Sequence, residues 1–238
     1  MSTLILGHRG AMGYAPENTL LSFTLAAQQQ AQGVELDVFL TKDKKIVITH
    51  DENTKRLTGK KLTVRQSPLA ELKTLDFGRG EQIPTLEEFL EKFSKIFSVI
   101  NIEIKSTGLT NDGIEDAVAN CIRDFHLEEK VVLSSFNFFN LLRLKKKYPS
   151  LKRGYLISPH TWTNRWIFLI KKIEPWSVNL GTQFSPRDIP FFRKLAPQVW
   201  VWTVNEEKEM ESWIQSGIDG LITNFPDRAL QIQKNYET

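Results

Sequence analysis

The feature that most restricts the fold of this chain is a regular alternation of short strand-like runs and longer helix-like segments. The runs are apolar and rich in β-branched residues, and they predict strands at 3–8, 33–40, 99–105, 130–135, 152–157, 176–180, 198–204 and 218–223, with a further strand at 45–50 beside the second. Apolar residues recur with helical spacing at 17–31, 85–97, 111–126, 137–148, 161–172, 186–195, 206–216 and 226–236. Eight units in 238 residues leave about 30 residues for each unit, the length that a βαβ repeat needs.

This pattern predicts an α/β fold in which residues 1–238 form a single (β/α)8 TIM barrel. Alternating strands and helices favour a parallel sheet, and a count of eight favours a closed barrel over an open doubly wound sheet. Residues 51–84 interrupt the alternation with charged and polar residues, a glycine turn and two prolines. Because this stretch has too few apolar residues for a core of its own, we expect a small insertion after the second strand region and not a separate domain.

Composition excludes several classes of protein. With 41% hydrophobic and 25% charged residues, the chain is neither disordered nor collagen-like. Its 31 basic and 28 acidic residues give a net charge of +3, too small to indicate nucleic-acid binding, and the run Lys145–Lys147 is typical of a solvated helix end. Cys121 is the single cysteine, so no intramolecular disulfide can form, and we expect it to be a small core residue.

The sequence also bears on location. The opening MSTLILGHRG lacks the basic leader and the apolar length of a signal peptide, and the apolar patch Trp166–Ile170 is far shorter than the ~20 residues of a spanning helix. We therefore expect a soluble, cytoplasmic protein without a transmembrane segment. Together with Trp162 and Trp176, the patch either packs as a helix on the barrel or makes a peripheral contact with a membrane or a second subunit. The oligomeric state stays open.

Polar side chains collect at the carboxyl ends of the predicted strands. Seven of them follow this rule: His8, Arg9, Glu35, Asp37, His50, Glu103 and Lys105. Within VELDVF the two carboxylates are two residues apart, as are the acid and the lysine of INIEIK, so each pair lies on one face of its strand. Parallel barrels place their active sites at the carboxyl rim, so these side chains can converge there.

Each of these residues has a structural alternative when it is considered alone. A lone histidine at a strand end is commonly structural, and Glu103 and Lys105 can simply pair with each other inside a barrel. Charged groups inside a sheet are nevertheless costly unless they are paired or metal-bound. The coincidence of three carboxylates, a lysine and two histidines at strand ends favours one functional site.

The carboxylates predict a metal site. Three converging carboxylates would repel one another and raise their pKa values unless a cation joined them. Oxygen ligands from Glu35, Asp37 and Glu103 suit Mg²⁺ or Ca²⁺, and no soft-ligand cluster suggests zinc. The two histidines remain free for proton transfer near neutral pH, while the arginine and the lysine can hold an anionic oxygen. Together these groups indicate a phosphate-ester site.

At these residues the chain closely resembles the glycerophosphodiester phosphodiesterases. The matching segments lie in family order over nearly the whole chain: GHRGAMGYAPENTLLSF at 7–23, GVELDVFLTKD at 33–43, IVITHD at 46–51, IPTLEEFL at 83–90, NIEIK at 101–105, VVLSSF at 131–136, VWVWTVN at 199–205 and GIDGLITNFPD at 217–227. HRG with PENT, ELDV and HD is a specific signature, whereas TLEEFL alone would be weak.

The resemblance implies a barrel of eight βα units with a small insertion that matches 51–84. It also implies hydrolysis of glycerophosphodiesters, such as glycerophosphocholine or glycerophosphoethanolamine, to glycerol 3-phosphate and an alcohol. By position it implies catalytic His8 and His50, phosphate-binding Arg9 and Lys105, metal ligands Glu35, Asp37 and Glu103, and supporting Glu17 and Asn18 in the PENT turn.

Two further positions concern the barrel rim. In ITNFPD, Asn224 stands where the family often has Asp. We expect little effect on activity, because no metal or proton-transfer role falls on that position, whereas an effect on substrate preference stays open. Trp202 is predicted to form an apolar wall beside the glycerol or alcohol group, with a place in the barrel core as the alternative. Phe136 and Leu180 could extend that wall.

The expected mechanism is acid/base catalysis by the two histidines beside the metal. The sequence leaves open which histidine is the acid, and whether a neighbouring glycerol hydroxyl attacks phosphorus to give a cyclic phosphate or water attacks directly. Two rival functions also remain: cleavage of a lysophospholipid or phosphoinositol headgroup with the same residues, and binding of a phosphodiester without turnover.

Overall fold

The computed structural model describes residues 2–105, 112–158 and 165–236, and these contain nine β-strands. The strands are β1 (Leu4–His8), β2 (Gly33–Leu40), β3 (Ile46–Ile48), β4 (Val99–Ile104), β5 (Val131–Ser135), β6 (Lys152–Ile157), β7 (Ser177–Gly181), β8 (Gln198–Trp202) and β9 (Gly220–Thr223). Eight run parallel in the order β1, β9, β8, β7, β6, β5, β4, β2, and the pairing of β1 with β2 closes the barrel. The predicted TIM barrel is confirmed, and β3 is an additional strand that pairs antiparallel with β2.

Helices follow most strands and cover the outside of the barrel. The α-helices of the described residues are Leu20–Gln28, Lys55–Thr58, Leu69–Leu72, Leu86–Phe93, Ile114–Asp124, Phe138–Lys147, Ile189–Phe192, Glu207–Gln215 and Pro226–Lys234. In addition, 3₁₀ helices occur at Val64–Gln66, Arg165–Ile173 and Pro186–Asp188.

Two predicted helices differ from the structure. Residues 186–195 were expected to form one helix but split into a 3₁₀ turn and a single α-helical turn, because Pro186 and Pro190 have no backbone N–H to donate. The predicted helix at 161–172 is a 3₁₀ helix from residue 165 onward, and 161–164 lie outside the described residues. Its β-branched and aromatic residues lose χ1 freedom in an α-helix, which lowers the preference for that form.

Alternation along the strands separates the apolar core from the barrel interior. All eight residues of β2 are buried. Leu36 and Val38 face outward into the main core, where they join Phe89 and Phe93 of the covering helix. The intervening Glu35 and Asp37 occupy the opposite face, which points into the barrel. The strand therefore buries carboxylates on one side while its other side supplies the apolar contacts that stabilise the fold.

Residues 51–84 pack against the ends of β2 and β3, on the face of β2 that carries Phe39. Their apolar side chains share a second core with two residues of the sheet; the cluster consists of Phe39, Val47, Val64, Leu72, Leu75, Phe77 and Ile83. Polar contacts add to this attachment, because Lys73 pairs with Glu88 of the helix Leu86–Phe93 at 2.6 Å. The segment therefore packs its apolar side chains partly on the barrel.

The helix Leu86–Phe93 begins with a capping box. The Thr85 hydroxyl accepts a hydrogen bond from the Glu88 backbone N–H at 3.1 Å, and the Glu88 carboxylate accepts one from the Thr85 backbone N–H at 2.8 Å. These two bonds satisfy donors that a helix start otherwise leaves unpaired.

We expect Thr85→Ala to lower the free energy of unfolding by about 1 kcal/mol, because the cap oxygen is lost. Urea unfolding followed by circular dichroism would measure this, with Thr85→Ser as the control that keeps the hydroxyl. Equal losses in the two variants would mean that the methyl group, and not the cap, provides the stability.

The described residues include no helix long and apolar enough to cross a membrane. Of the aromatic patch, Trp162 and the side chain of Trp166 lie outside the described part of the chain. Trp176 is partly buried and stacks edge to face on Trp200 with ring centroids 5.5 Å apart.

Cys121 is buried in the main core, and burial raises the pKa of its thiol to about 12.

Candidate active site

The carboxyl ends of the strands surround one pocket of about 200 Å³. Eight of the residues singled out in the sequence line it: His8, Arg9, Glu35, His50, Glu103, Lys105, Phe136 and Trp202. Asp37 lies directly behind this layer with 1% of its surface exposed, and Glu17 and Asn18 are buried beside it. Residues far apart in the chain therefore meet at the rim where parallel barrels place their chemistry.

The acidic residues converge because β2 and β4 are adjacent parallel strands in register. Asp37 lies opposite Glu103 in that register. Glu35, Asp37 and Glu103 are buried, and one carboxylate oxygen from each lies within 4.8 Å of the others. Burial, with the neighbouring Asp37 charge, raises the pKa of Glu35 well above its usual value. Burial raises the pKa of Glu103 to about 7, although Lys105 opposes that shift.

Two cations border the acidic cluster. Lys105 Nζ lies 2.7 Å from Glu103 Oε1 and 3.0 Å from Asp37 Oδ1. Glu103 and Lys105 therefore pair with each other, as the structural alternative predicted, and the carboxylates converge as well. Arg9 Nε lies 3.3 Å from Asp37 Oδ2. Although burial disfavours an ionised carboxylate, these cations hold the pKa of Asp37 far below its usual range. The same carboxylates raise the pKa of Lys105 against the effect of its own burial.

This donor set fits a hard divalent cation. All three candidate ligands are carboxylate oxygens, which Mg²⁺ and Ca²⁺ prefer. Two cations face three carboxyl groups, and burial raises the pKa values of Glu35 and Glu103 although both cations act in the opposite direction. A further positive charge at this position would stabilise the ionised form of both glutamates.

His8 is held by an amide at the far end of the chain. Its Nδ1 lies 2.7 Å from Oδ1 of Asn224, and since that oxygen only accepts, Nδ1 carries the proton. Nε2 is then left with a free electron pair, 3.9 Å from Glu35 Oε2. Burial and the neighbouring Arg9 charge lower the pKa of His8 to about 4, so the imidazole is neutral at pH 7.

His50 is held by a carboxylate. Its Nδ1 donates to Asp51 Oδ1 at 2.7 Å, which again leaves Nε2 free. Burial lowers the pKa of His50, while the charges of Asp37 and Asp51 act in the opposite direction. His50 is also the more exposed of the two imidazoles, with 34% of its side chain accessible against 14% for His8.

Glu17 and Asn18 support the site from the turn after β1. Asn18 donates from Nδ2 to Asp37 Oδ2 at 2.9 Å. Glu17 accepts from Arg9 Nη1 at 2.7 Å and from both terminal nitrogens of Arg56 at 2.7 and 2.9 Å. Although burial acts the other way, these two guanidinium groups lower the pKa of Glu17. The turn therefore orients both a pocket cation and an acidic residue behind the pocket.

An apolar wall closes one side of the pocket. Trp202 and Phe136 both line it, with ring centroids 5.4 Å apart in an edge-to-face arrangement. Trp202 Nε1 donates to the Asn179 carbonyl oxygen at 3.0 Å, which fixes the indole. The expectation for Leu180 was wrong, because it is fully buried in the outer core. On β7 it is Ser177 and Asn179 that share the inward face, one residue out of phase with Leu180.

Two partners of the histidines, and an arginine that binds one of those partners, were not predicted from the sequence. Asn224 was expected to have no metal or proton-transfer role, but it binds His8 directly; its place at the end of β9, next to β1, was the available signal. Asp51 follows His50 in the HD pair. Arg56 lies in the segment 51–84 and donates to both Asp51 and Glu17. Nothing in its local sequence marks Arg56, because both contacts are made by the folded chain.

We expect Asn224→Leu to lower kcat about 100-fold, because the acceptor that selects the His8 tautomer is removed. Asn224→Asp keeps an acceptor oxygen and should retain most of the activity. Steady-state kinetics together with Tm values would check both variants. Full activity in a folded Asn224→Leu protein would show that the contact has no catalytic importance.

Comparisons with known proteins identify related chains. A family model for the glycerophosphoryl diester phosphodiesterase family matches residues 8–228. The glycerophosphodiester phosphodiesterase of Caldanaerobacter subterraneus subsp. tengcongensis is 35% identical over 250 residues, covering 98% of this chain and 98% of the relative. The solved glycerophosphodiester phosphodiesterase of Thermotoga maritima is 31% identical, with a TM-score of 0.79 over 98% of this chain and 99% of that one. A phosphodiesterase of Oleispira antarctica, solved with the product sn-glycerol-3-phosphate, is 29% identical, with a TM-score of 0.84 over 100% of this chain and 98% of that one.

Proposed function

Since the chain belongs to the glycerophosphoryl diester phosphodiesterase family and is a phosphoric diester hydrolase, we propose that it cleaves glycerophosphodiesters to glycerol 3-phosphate and an alcohol, using a divalent cation and two histidines. One observation carries this proposal: two imidazoles, two cations and two carboxylates line a single pocket, and a third carboxylate lies within 4.8 Å of those two. Phosphodiester hydrolysis needs positive charge around the phosphoryl group and a proton donor and acceptor on either side of it.

Glu35, Asp37 and Glu103 would hold the cation, Mg²⁺ or Ca²⁺. When bound, such an ion supplies electrostatic stabilisation for the negative charge on the phosphoryl oxygens. Arg9 and Lys105 line the same pocket and bind further phosphoryl oxygens. Their carboxylate partners hold both side chains in place before the substrate arrives, so little ordering is needed on binding.

The partners of the histidines suggest different roles. His8 is neutral and bears an amide oxygen on Nδ1, so its free Nε2 suits the base that takes the proton of the attacking hydroxyl group. His50 bears the Asp51 carboxylate on Nδ1, and a carboxylate in that position stabilises the imidazolium form. His50 therefore suits the acid that protonates the leaving alcohol oxygen from Nε2. Trp202 and Phe136 pack against the carbon atoms of the substrate.

A substrate panel tests the proposal directly. The purified protein, supplied with Mg²⁺ or Ca²⁺, should release glycerol 3-phosphate from glycerophosphocholine and glycerophosphoethanolamine, as measured by a coupled glycerol 3-phosphate assay. Lysophosphatidylcholine and glycerophosphoinositol serve as the comparison substrates. Preferred turnover of the lysolipid would contradict the assignment of a small water-soluble substrate. Tight binding of glycerophosphocholine without product release would contradict the catalytic role.

A further inference from the structure

One polar side chain in the pocket has no role in the chemistry described above. Asn101 lies on β4 two residues before Glu103, so both side chains face the barrel interior. It lies opposite Glu35 in the register of β2 and β4, one step deeper than the pair Asp37 and Glu103. Asn101 lines the pocket, level with Glu35 and one step deeper than the other two carboxylates of the acidic cluster.

The amide of Asn101 is buried and unpartnered. Its side chain has no exposed surface, and neither Oδ1 nor Nδ2 has a hydrogen-bond partner among the described residues. Buried side-chain amides are nearly always hydrogen-bonded, because the loss of water is otherwise uncompensated. On the adjacent strands β2 and β5 the residues opposite Asn101 are Glu35 and Val132, and neither hydrogen-bonds to the amide. Leu156 of β6 and Ile222 of β9, which also line the pocket, offer no polar side-chain atom. The amide of Asn101 is therefore available to a molecule that enters the pocket.

The chemistry of an amide identifies the kind of group that it would bind. An amide presents one acceptor and two donors, which match an alcohol hydroxyl, itself both donor and acceptor. A phosphoryl oxygen only accepts, and Arg9 and Lys105 already supply the donors for it. A quaternary ammonium group such as that of choline forms no conventional hydrogen bond. The substrate described above carries hydroxyls only on its glycerol portion.

Resting on the proposed function, we infer that Asn101 binds a hydroxyl of the glycerol portion and makes the pocket selective for diesters that carry it. A site that pairs a buried polar group with a substrate hydroxyl rejects analogues without the hydroxyl, since the protein group is then left unpaired. The apolar wall of Trp202 and Phe136 cannot make this distinction, because it contacts carbon atoms. Asn101 is thus a specificity residue distinct from the metal ligands and from the two histidines.

The test combines Asn101→Leu, which removes the amide, with ligands that differ in their hydroxyls. Calorimetric titration of the cation-loaded protein with glycerol 3-phosphate and with propyl phosphate gives an affinity ratio for the hydroxyls. Inhibition of glycerophosphocholine hydrolysis by glycerol 3-phosphate and by propyl phosphate gives the same ratio as inhibition constants. We expect the preference of the unaltered protein for the glycerol compound to fall about 100-fold in the variant in both assays, with little change for the propyl compounds.

Equal effects of Asn101→Leu on glycerol and propyl compounds, or no effect on either, would overturn the inference and assign the amide to an ordered water. If Asn101→Leu does not fold, Asn101→Ala provides the same comparison with the amide removed and no added bulk. The proposed function fails separately, when the unaltered protein releases no glycerol 3-phosphate. The specificity role fails when the unaltered protein is active but the two preference ratios match those of the variant.

Discussion

Removal of divalent cations is expected to reduce phosphodiesterase activity by about 1000-fold or more, because the buried carboxylates would then lack the charge that binds and activates the phosphoryl group. Glycerol 3-phosphate release would be measured before and after dialysis against EDTA, and again after addition of Mg²⁺ or Ca²⁺. Recovery with one ion and not the other would identify the metal. Activity that persists in the chelator would refute the metal assignment.

Cation binding should also stabilise the folded protein, and this effect can be measured independently of turnover. Glu35, Asp37 and Glu103 are buried within 4.8 Å of one another, so an ion that binds only the folded state stabilises it by mass action. We expect Mg²⁺ or Ca²⁺ to raise Tm by several degrees in the unaltered protein, and not in Glu103→Gln. Glu115→Gln is the matched control, because Glu115 is a buried carboxylate that pairs with Arg143 away from the pocket. An equal rise in Tm for all three proteins would place the ion elsewhere.

Replacement of either histidine by alanine is expected to lower kcat for glycerophosphocholine by about 10²–10⁴-fold, because each imidazole moves one proton. The leaving group should separate the two roles. A glycerophosphodiester of p-nitrophenol needs no protonation of its leaving oxygen, so His50→Ala should regain most of its rate with that substrate. His8→Ala should stay impaired, since the attacking hydroxyl group still needs its base. Release of p-nitrophenolate followed at 400 nm is the measurement.

His126→Asn is the matched control for both histidines. His126 is exposed and distant from the pocket, and asparagine tolerates its positive φ of 56°. It should keep full activity with both substrates. Equal losses for the two alanine variants on both substrates would contradict separate acid and base roles. Recovery of His8→Ala in place of His50→Ala would reverse the assignment.

Most of the fold and of the candidate site could be predicted because both depend on local periodicity. The apolar runs and the helical segments between them predict eight strand–helix units, and that count predicts a sheet closed into a barrel. The spacing of Glu35 and Asp37 puts both carboxylates on one face of β2 wherever that strand lies. The predicted helices at 161–172 and 186–195 were less accurate, because prolines and β-branched residues alter helix type without removing the apolar pattern.

The sequence by itself determined which side chains could reach the barrel rim, since the two-residue period of a strand is a property of the chain alone. Only the tertiary structure decided what each of them contacts. His8 meets Asn224 across 216 residues, and Arg56 joins Glu17 to Asp51 across the insertion. The buried amide of Asn101 is likewise apparent only once the strands close around it. Hydrogen bonds and pKa values depend on distance and burial, and these are created when the barrel closes.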